Sequence, residues 1–231
     1  NLAGGLNLAE AMRAAGTRRL VFSSTCAVYG VPERVPIVED LPRNPANPYG
    51  ESKLQFEKAL HWYEVCHGFR TVRLRYFNAA GATERCGEHH EPETHIIPNV
   101  LKVALGQAPH VRIFGADYRT PDGTCVRDYI HIEDLAQAHI LAVEGEACGA
   151  FNLGNGSGYS VRQVVETARA VTGHAIPEVL EARRPGDPDS LVADASRAAR
   201  VLGWKPRFPE LRAILESAWA WTRRHPNGYP A

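Results

Sequence analysis

A strand, a helix and a second strand follow one another between residues 18 and 78, and this succession narrows the possible folds more than anything else in the chain. "RRLVFSS" (18–24) and "RTVRLRYFN" (70–78) are apolar runs with strand character, and a helical segment from about Tyr49 to Cys66 separates them. Gly68 closes that helix, and five prolines (32, 36, 42, 45, 48) keep the stretch before it from being helical. The pattern is a βαβ unit, so strands 18–24 and 70–75 are expected to lie parallel with a right-handed crossover. Alternation continues with a helix at 96–106, a strand at 111–115, an extended run at 126–132, a helix from Glu133 to about Glu146 and a strand at 150–154. Further helices are expected at 161–172, 194–202 and 209–224, the first opened by a Ser160/Gln163 capping box. Residues 79–95 and 182–190 read as loops. The first residues, "NLAGGLNLAEAMRAAG", are already helical in pattern and stop at Gly16, as in a chain that starts inside a fold. The class is α/β, with a second, smaller lobe built from the later, shorter elements.

Charge and cysteine use remove several functions. The 26 basic and 26 acidic residues cancel, so no overall basic field points to nucleic acid. No apolar run approaches the roughly 20 residues of a membrane span, and no secretory signal pattern is present. The five cysteines (26, 66, 86, 125, 148) are odd in number and scattered, which argues for a reducing compartment, the cytoplasm, and against a disulfide framework.

"PYGESK" (48–53) places Tyr49 and Lys53 four positions apart, on one face of the helix. By itself the pair could be a solvated helix face. It could also be an alcohol-oxidation site. A phenol acting as a base at neutral pH needs its pKa lowered by about 3 units from ~10, roughly 4 kcal/mol. An ammonium ~5 Å away supplies on the order of 3 kcal/mol at an effective dielectric near 20. A second cation, such as an oxidised nicotinamide ring, could supply the remainder. Context favours the second reading, because strand 18–24 runs into "SSTCAVYG" and parallel strands deliver functional groups at their carboxyl ends. Ser23, Ser24 and Thr25 stand there, available to a pocket or to a turn.

Three other segments carry possible chemistry. "GNGSG" (154–158) has the spacing GxGxG rather than GxGxxG and reads as a tight connection. "EHHEPETH" (88–95) holds three histidines in a loop, at a spacing that fits no common zinc site, so no metal is expected. Arg127, Arg183 and Arg184 could clamp a diphosphate or lie at the surface.

Together, "FSSTCAVYG", "NPYGESK", "LRYFNAAGA", "PETHIIP", "IFGADYRTPDGTCVRDYIHIEDLAQAH", "NLGNGSGYSV", "RRPGDP" and "HPNGYP" resemble the UDP-glucose 4-epimerase family of extended short-chain dehydrogenases/reductases. The resemblance runs almost end to end. It implies an incomplete Rossmann-like, doubly wound parallel sheet plus a smaller mixed α/β substrate-binding lobe. The dinucleotide-binding part would comprise 1–78 with 126–155 returning to it, and the UDP-sugar lobe 79–125 and 156–231. NAD is the implied cofactor and a UDP-sugar the implied partner. Tyr49 would be the catalytic base, Lys53 its partner and a ligand of the nicotinamide ribose, and Thr25 the hydroxyl at the reacting oxygen. Tyr76 and Phe77, with Ser23 and Ser24, would lie beside the cofactor. Asn78, Arg127 and Arg184 would hold the diphosphate, Phe114 and His95 would lie near the uracil, Asp187 would reach the ribose, and Leu191 would border the sugar. Members of the family pair as homodimers through helices of the first domain.

Departures from the family shape these expectations. The glycine-rich turn that cradles the NAD pyrophosphate has no counterpart here, and the resemblance begins at the family's middle helix. These residues alone are therefore expected to bind NAD weakly and turn over poorly. Leu191 replaces a bulky tyrosine of some members, which opens UDP-GlcNAc/UDP-GalNAc interconversion. Cys26 and Ala27 follow Thr25 where 4,6-dehydratases carry carboxylates, so dehydration is disfavoured. UDP-glucuronate enzymes and a non-catalytic sugar-nucleotide binder stay as rivals.

Overall fold

The computed structural model describes residues 1–229, so Pro230 of the closing "HPNGYP" motif lies outside the described residues. The chain opens on α1 (Leu2–Ala14), forms β1 (Arg19–Thr25), crosses over through α2 (Pro48–His67) and returns as β2 (Arg70–Tyr76). There follow β3 (Asn78–Ala80), α3 (Ile96–Ala104), β4 (Val111–Phe114), β5 (Val126–His131), α4 (Ile132–Glu144) and β6 (Gly149–Leu153). The remainder is β7 (Gly158–Ser160), α5 (Val161–Thr172), β8 (Glu178–Glu181), β9 (Ser190–Leu191), α6 (Ser196–Leu202) and α7 (Leu211–Arg224).

The expected βαβ unit is present. β1, β2 and β6 form a parallel sheet in the order β1-β2-β6, with Thr25 beside Tyr76 and Tyr76 beside Leu153 at its carboxyl edge. Strand alternation sends successive side chains to opposite faces. Phe22 and Ser24 meet Phe56 and Glu57 of α2, whereas Ser23 between them reaches His139 of α4. On β2, Val72 and Leu74 join Ala138 and Ala142 of α4 and Ala198, Leu202 and Trp204 in one apolar cluster. Helices therefore cover both faces of the sheet, which is the doubly wound arrangement.

A second sheet centres on β5, paired with β3 (parallel), β7 (antiparallel) and β9 (parallel), while β4 and β8 form a separate parallel pair. Of the stretch 126–155, β6 joins the first sheet and α4 covers it, whereas β5 pairs outside it. α3, α5 and α7 enclose the larger apolar core, with Leu101, Val164 and Ile214 at its centre. The strand expected over 70–78 stops at Tyr76, because Phe77 turns into a core cluster with Val28, Ile37 and Leu54. Residues 79–95 and 182–190 are not wholly irregular, since they contribute to β3 and β9.

Between the first sheet and α2 lies a buried polar network. Arg75 Nη2 and Nε donate to the Glu57 carboxylate at 2.6 and 3.0 Å, and both side chains are almost wholly buried. Ser24 Oγ donates to Glu57 at 2.5 Å, Arg75 Nη1 donates to Tyr29 Oη at 2.8 Å, and Tyr29 donates to Asn152 at 2.7 Å. Asn152 in turn donates to the Ile37 carbonyl. One ion pair thus couples β1, β2, β6, α2 and the proline-rich loop. Glu57→Gln leaves Arg75 buried without a counter-charge and is expected to destabilise the fold by about 3–5 kcal/mol in denaturant unfolding. The double variant Glu57→Leu/Arg75→Met should recover most of that loss, because both buried charges are then gone.

Candidate active site

α2 starts where it does because Asn47 caps it, its Oδ1 accepting from Gly50 N–H at 2.8 Å, with Pro48 at the first helical position. Gly50 follows for a steric reason. A Cβ there would lie 2.5 Å from the Ala27 carbonyl oxygen, so glycine lets the helix start abut the turn at 26–29. Thr25 opens that turn, its hydroxyl accepting from Ala27 N–H at 3.1 Å. The two chain ends meet, and Tyr49 arrives beside Thr25 and Tyr76.

Tyr49 is half-exposed, and its phenol sits above the ordinary value of 10.0. Burial is the main cause and Tyr76 adds to it, while hydrogen bonding with Thr25 pulls the other way. The ammonium of Lys53 does not offset this rise. It donates to the Ser23 carbonyl at 2.9 Å and stands over the Phe22 and Tyr49 rings, 5.0 and 5.7 Å from their centroids. The lowering of the phenol expected from this ammonium is not seen, because burial, Tyr76, Thr25 and Cys26 set the shift. Burial also lowers the Lys53 pKa.

The other residues at the strand ends divide between cleft and core. Tyr76 is half-buried, with its ring 6.4 Å from that of His139. Ser23 shares a hydrogen bond of 3.0 Å with His139 Nε2. Ser24 points the opposite way, wholly buried, its hydroxyl donated to Glu57. Phe77 is likewise a core residue, packed with Cys26 and Leu191. Burial pushes the Cys26 thiol up to about 12, so no thiolate forms there near neutral pH.

Cys26, Phe77 and Leu191 connect these groups to the second sheet. Leu191 is the β9 neighbour of Arg127 on β5, and Asn78 begins β3 directly after Phe77. Arg127 is mostly buried and pairs with Asp187 at 2.5 Å, and Tyr118 Oη donates to the other Asp187 oxygen at 3.1 Å. Arg184 lies over Phe114 at 4.1 Å, and Arg183 over Tyr118 at 3.8 Å while pairing with Asp189 at 2.9 Å. The loop carrying these arginines approaches the start of α2. At Gly186, whose φ is +74°, a Cβ would be 3.7 Å from the Ala46 carbonyl oxygen. Gly186 of the arginine-bearing loop therefore lies against Ala46, three residues before Tyr49.

Two segments behave differently from the rest. The glycine run 154–158 wraps a buried carboxylate: Asp128 accepts N–H donors from Asn155 (2.8 Å), Gly156 (3.0 Å) and Ala193 (3.0 Å). Burial pushes Asp128 up to about 6 against the pull of those donors. The run is a tight connection, as its spacing predicts. His95 caps α3 and makes no side-chain contact with another candidate. Its Nδ1 instead meets Glu88 at 2.6 Å and Glu93 at 3.1 Å, and those carboxylates raise its pKa. Sequence reasoning missed Glu88, His90 and Glu93 as companions of His95. The one signal available was their alternation, Glu-x-His-x2-Glu-x-His.

Comparison with known proteins gives the family. Residues 1–154 match the model of the NAD dependent epimerase/dehydratase family. The chain belongs to that family. A UDP-glucose 4-epimerase of Halalkalibacterium halodurans is 52% identical over 236 residues, covering 99% of this chain and 70% of that protein. A UDP-glucose 4-epimerase of Streptomyces lividans is 53% identical over 232 residues, with 99% and 70% covered. Among solved family structures, UDP-glucose 4-epimerase from Bifidobacterium longum in complex with NAD+ and UDP superposes with a TM-score of 0.93 at 40% identity, covering 97% of this chain and 69% of that one.

The raised phenol yields a direct test. The 295 nm absorbance difference between the protein and its Tyr49→Phe variant should show Tyr49 ionising above pH 10 without nucleotide, and at lower pH once NAD+ is added. An unchanged midpoint with NAD+ present would remove the cofactor's charge as the agent that activates the phenol.

Proposed function

We propose that this protein is an NAD-dependent UDP-glucose 4-epimerase, interconverting UDP-galactose and UDP-glucose. The observation that carries the reading is the convergence of Thr25, Tyr49, Lys53 and Tyr76 at the carboxyl ends of parallel strands, across from Arg127 and Arg184. Near-complete coverage by epimerases at about half identity supports it.

The nicotinamide end of NAD fits this set. Lys53 spends one N–H on Ser23 and keeps two for ribose hydroxyls, and the half-buried Tyr76 ring offers a face at the strand end. Ser24 and Phe77 fit less well, because both are buried away from the cleft. When bound, NAD supplies reversible hydride acceptance from carbon 4 of the sugar. The protein's part is protons, charge and position. Tyr49 takes the proton of the 4-hydroxyl, and Thr25 orients that hydroxyl through a hydrogen bond. Lys53 favours the phenolate over the phenol. Arg127, Arg184 and Asn78 hold the diphosphate, Phe114 flanks the uracil and Asp187 reaches the ribose. With the diphosphate fixed, the oxidised sugar can turn about its anomeric oxygen and present its other face. His95 is left as a uracil contact only through the placement of α3.

The same reading takes residues 1–78 and 126–155, joined by α6, as the dinucleotide-binding part and the rest as the UDP-sugar lobe. It also includes a homodimer through α1 and α2, whose outer surfaces expose Leu8, Trp62 and Val65. A cytoplasmic setting agrees with five cysteines that are all free. No described helix is long and apolar enough to cross a membrane.

A coupled assay should detect UDP-glucose formed from UDP-galactose in the presence of NAD+, with sedimentation of the same preparation reporting a dimer. Tyr49→Phe should lower kcat about 100-fold or more, the scale of a lost general base, with KM little changed. Tight UDP binding with no turnover at any NAD+ concentration would favour the non-catalytic binder. Leu191 bears on sugar choice, because it packs between Cys26 and Phe77 beside Arg127. Leu191→Tyr should cut kcat/KM for UDP-N-acetylglucosamine by about tenfold or more while that for UDP-galactose stays within about threefold. Equal losses on both would mean that position 191 does not border the sugar.

A further inference from the structure

The loop 88–95 holds a group of side chains of which the proposed epimerase reading uses only His95, as a uracil contact. Glu88, His90, Glu93 and His95 each offer one ligand atom, and these four atoms all lie within 4.8 Å of one another. His95 Nδ1 is 2.6 Å from Glu88 Oε1 and 3.1 Å from Glu93 Oε1, and His90 Nδ1 is 3.5 Å from the same Glu88 oxygen. Four donors around a tetrahedral zinc ion, each bonded at about 2.0–2.1 Å, stand about 3.3 Å apart. The contacts of 2.6, 3.1 and 3.5 Å bracket that spacing, and no two of the four atoms are more than 4.8 Å apart.

Charge and surroundings agree with a cation. Among the described residues, no lysine or arginine pairs with Glu88 or Glu93, so the charged partners of the two carboxylates here are the two imidazoles. The Glu93 side chain is almost buried and anchored, its Oε1 accepting the backbone N–H groups of Thr94 and His95 at 2.7 Å each. His95 occupies the cap position of α3 but makes no side-chain capping bond, so its ring is not committed to the helix. The two histidine rings lie side by side, 5.3 Å apart, and remain half or more exposed, which leaves a path for an ion from solvent. The loop is held at its other end, where Gly87 exchanges two hydrogen bonds with the Tyr229 hydroxyl, at 2.9 and 3.0 Å.

We propose that Glu88, His90, Glu93 and His95 form a structural zinc site that clips the loop 88–95 onto the start of α3. Two imidazoles and two carboxylates suit zinc among the common divalent ions, and four protein donors leave no open position for catalysis. The metal closes an eight-residue loop locally and fixes the ring of His95. The inference stands apart from the epimerase reading, because neither its residues nor its test requires turnover.

The test uses protein without a polyhistidine tag, stripped with a chelator and dialysed against micromolar zinc at pH 7.5. Mass spectrometry of metal content should give one zinc per chain. X-ray absorption should give a first shell of nitrogen and oxygen only, at about 2.0–2.1 Å. Deuterium exchange of amides 88–95 should slow when zinc is added. His90→Ala should weaken zinc binding at least ~100-fold, beyond the ~10–100-fold cost of outer-shell changes, and Glu88→Gln should do the same with the fold intact by circular dichroism. Absence of retained zinc in the native protein would overturn the site and leave a hydrogen-bonded histidine cluster. Undiminished zinc in both variants would overturn it too, as would a sulfur ligand, which would point to nearby Cys86.

Discussion

Arg75 and Glu57 lie between a parallel sheet and the helix that carries Tyr49, and their pairing sets where that helix can sit. Neither charge could be buried alone. Removing a carboxylate or a guanidinium from water costs several kcal/mol, and only mutual pairing with full hydrogen bonding offsets it. The pair is satisfied from three directions, by Ser24 on β1, by Tyr29 at the end of the short turn and, through Tyr29, by Asn152 on β6. Glu57 is two helical turns from Tyr49 on a continuous helix. A register that satisfies Glu57 therefore also fixes the depth at which Tyr49 meets Thr25. The placement of the helix start rests on a polar contact at its middle.

The arrangement at the strand ends follows from the same geometry. Parallel strands all point their carboxyl ends one way, and the register puts Thr25 beside Tyr76 there. The chain then leaves the first sheet at Phe77 and enters the second at Asn78, so two sheets meet at one residue. Arg127 and Leu191 reach the same junction on neighbouring strands of the second sheet. The carboxyl edge of the first sheet and the second sheet are in this way joined through a small apolar contact of Cys26, Phe77 and Leu191.

Much of this was legible in the sequence where a pattern repeats over many residues. The long helix from 48 to 67, its proline and asparagine start, its glycine stop and the capping box at Ser160 all appear where local chemistry puts them. Strands of two to four residues, such as β3, β7, β8 and β9, carry too few positions to show a period, and only pairing partners distant in sequence define them. Ser23 and Ser24 cannot both face the strand-end surface, because alternation along a strand sends adjacent side chains to opposite faces, Ser23 to His139 and Ser24 to Glu57. Phe77 could not be assigned from sequence, because core and cofactor contacts both call for an aromatic ring. The effect of Lys53 on Tyr49 was read from their spacing along the helix. Its size depends on the Ser23 carbonyl and the Phe22 ring, which spacing does not include.

The Arg127–Asp187 pair has a bearing on how a nucleotide would come and go. Under the proposed reading, an arriving diphosphate meets a guanidinium that already has a carboxylate partner, rather than a bare cation. Capture is then an exchange of one anion for another, and only the difference between the two pairings counts toward retention. The displaced Asp187 is freed for a hydroxyl, and it stands ready to reclaim Arg127 as the product departs. An active site arranged in this manner trades grip for turnover, which suits an isomerase whose two substrates share the same nucleotide handle.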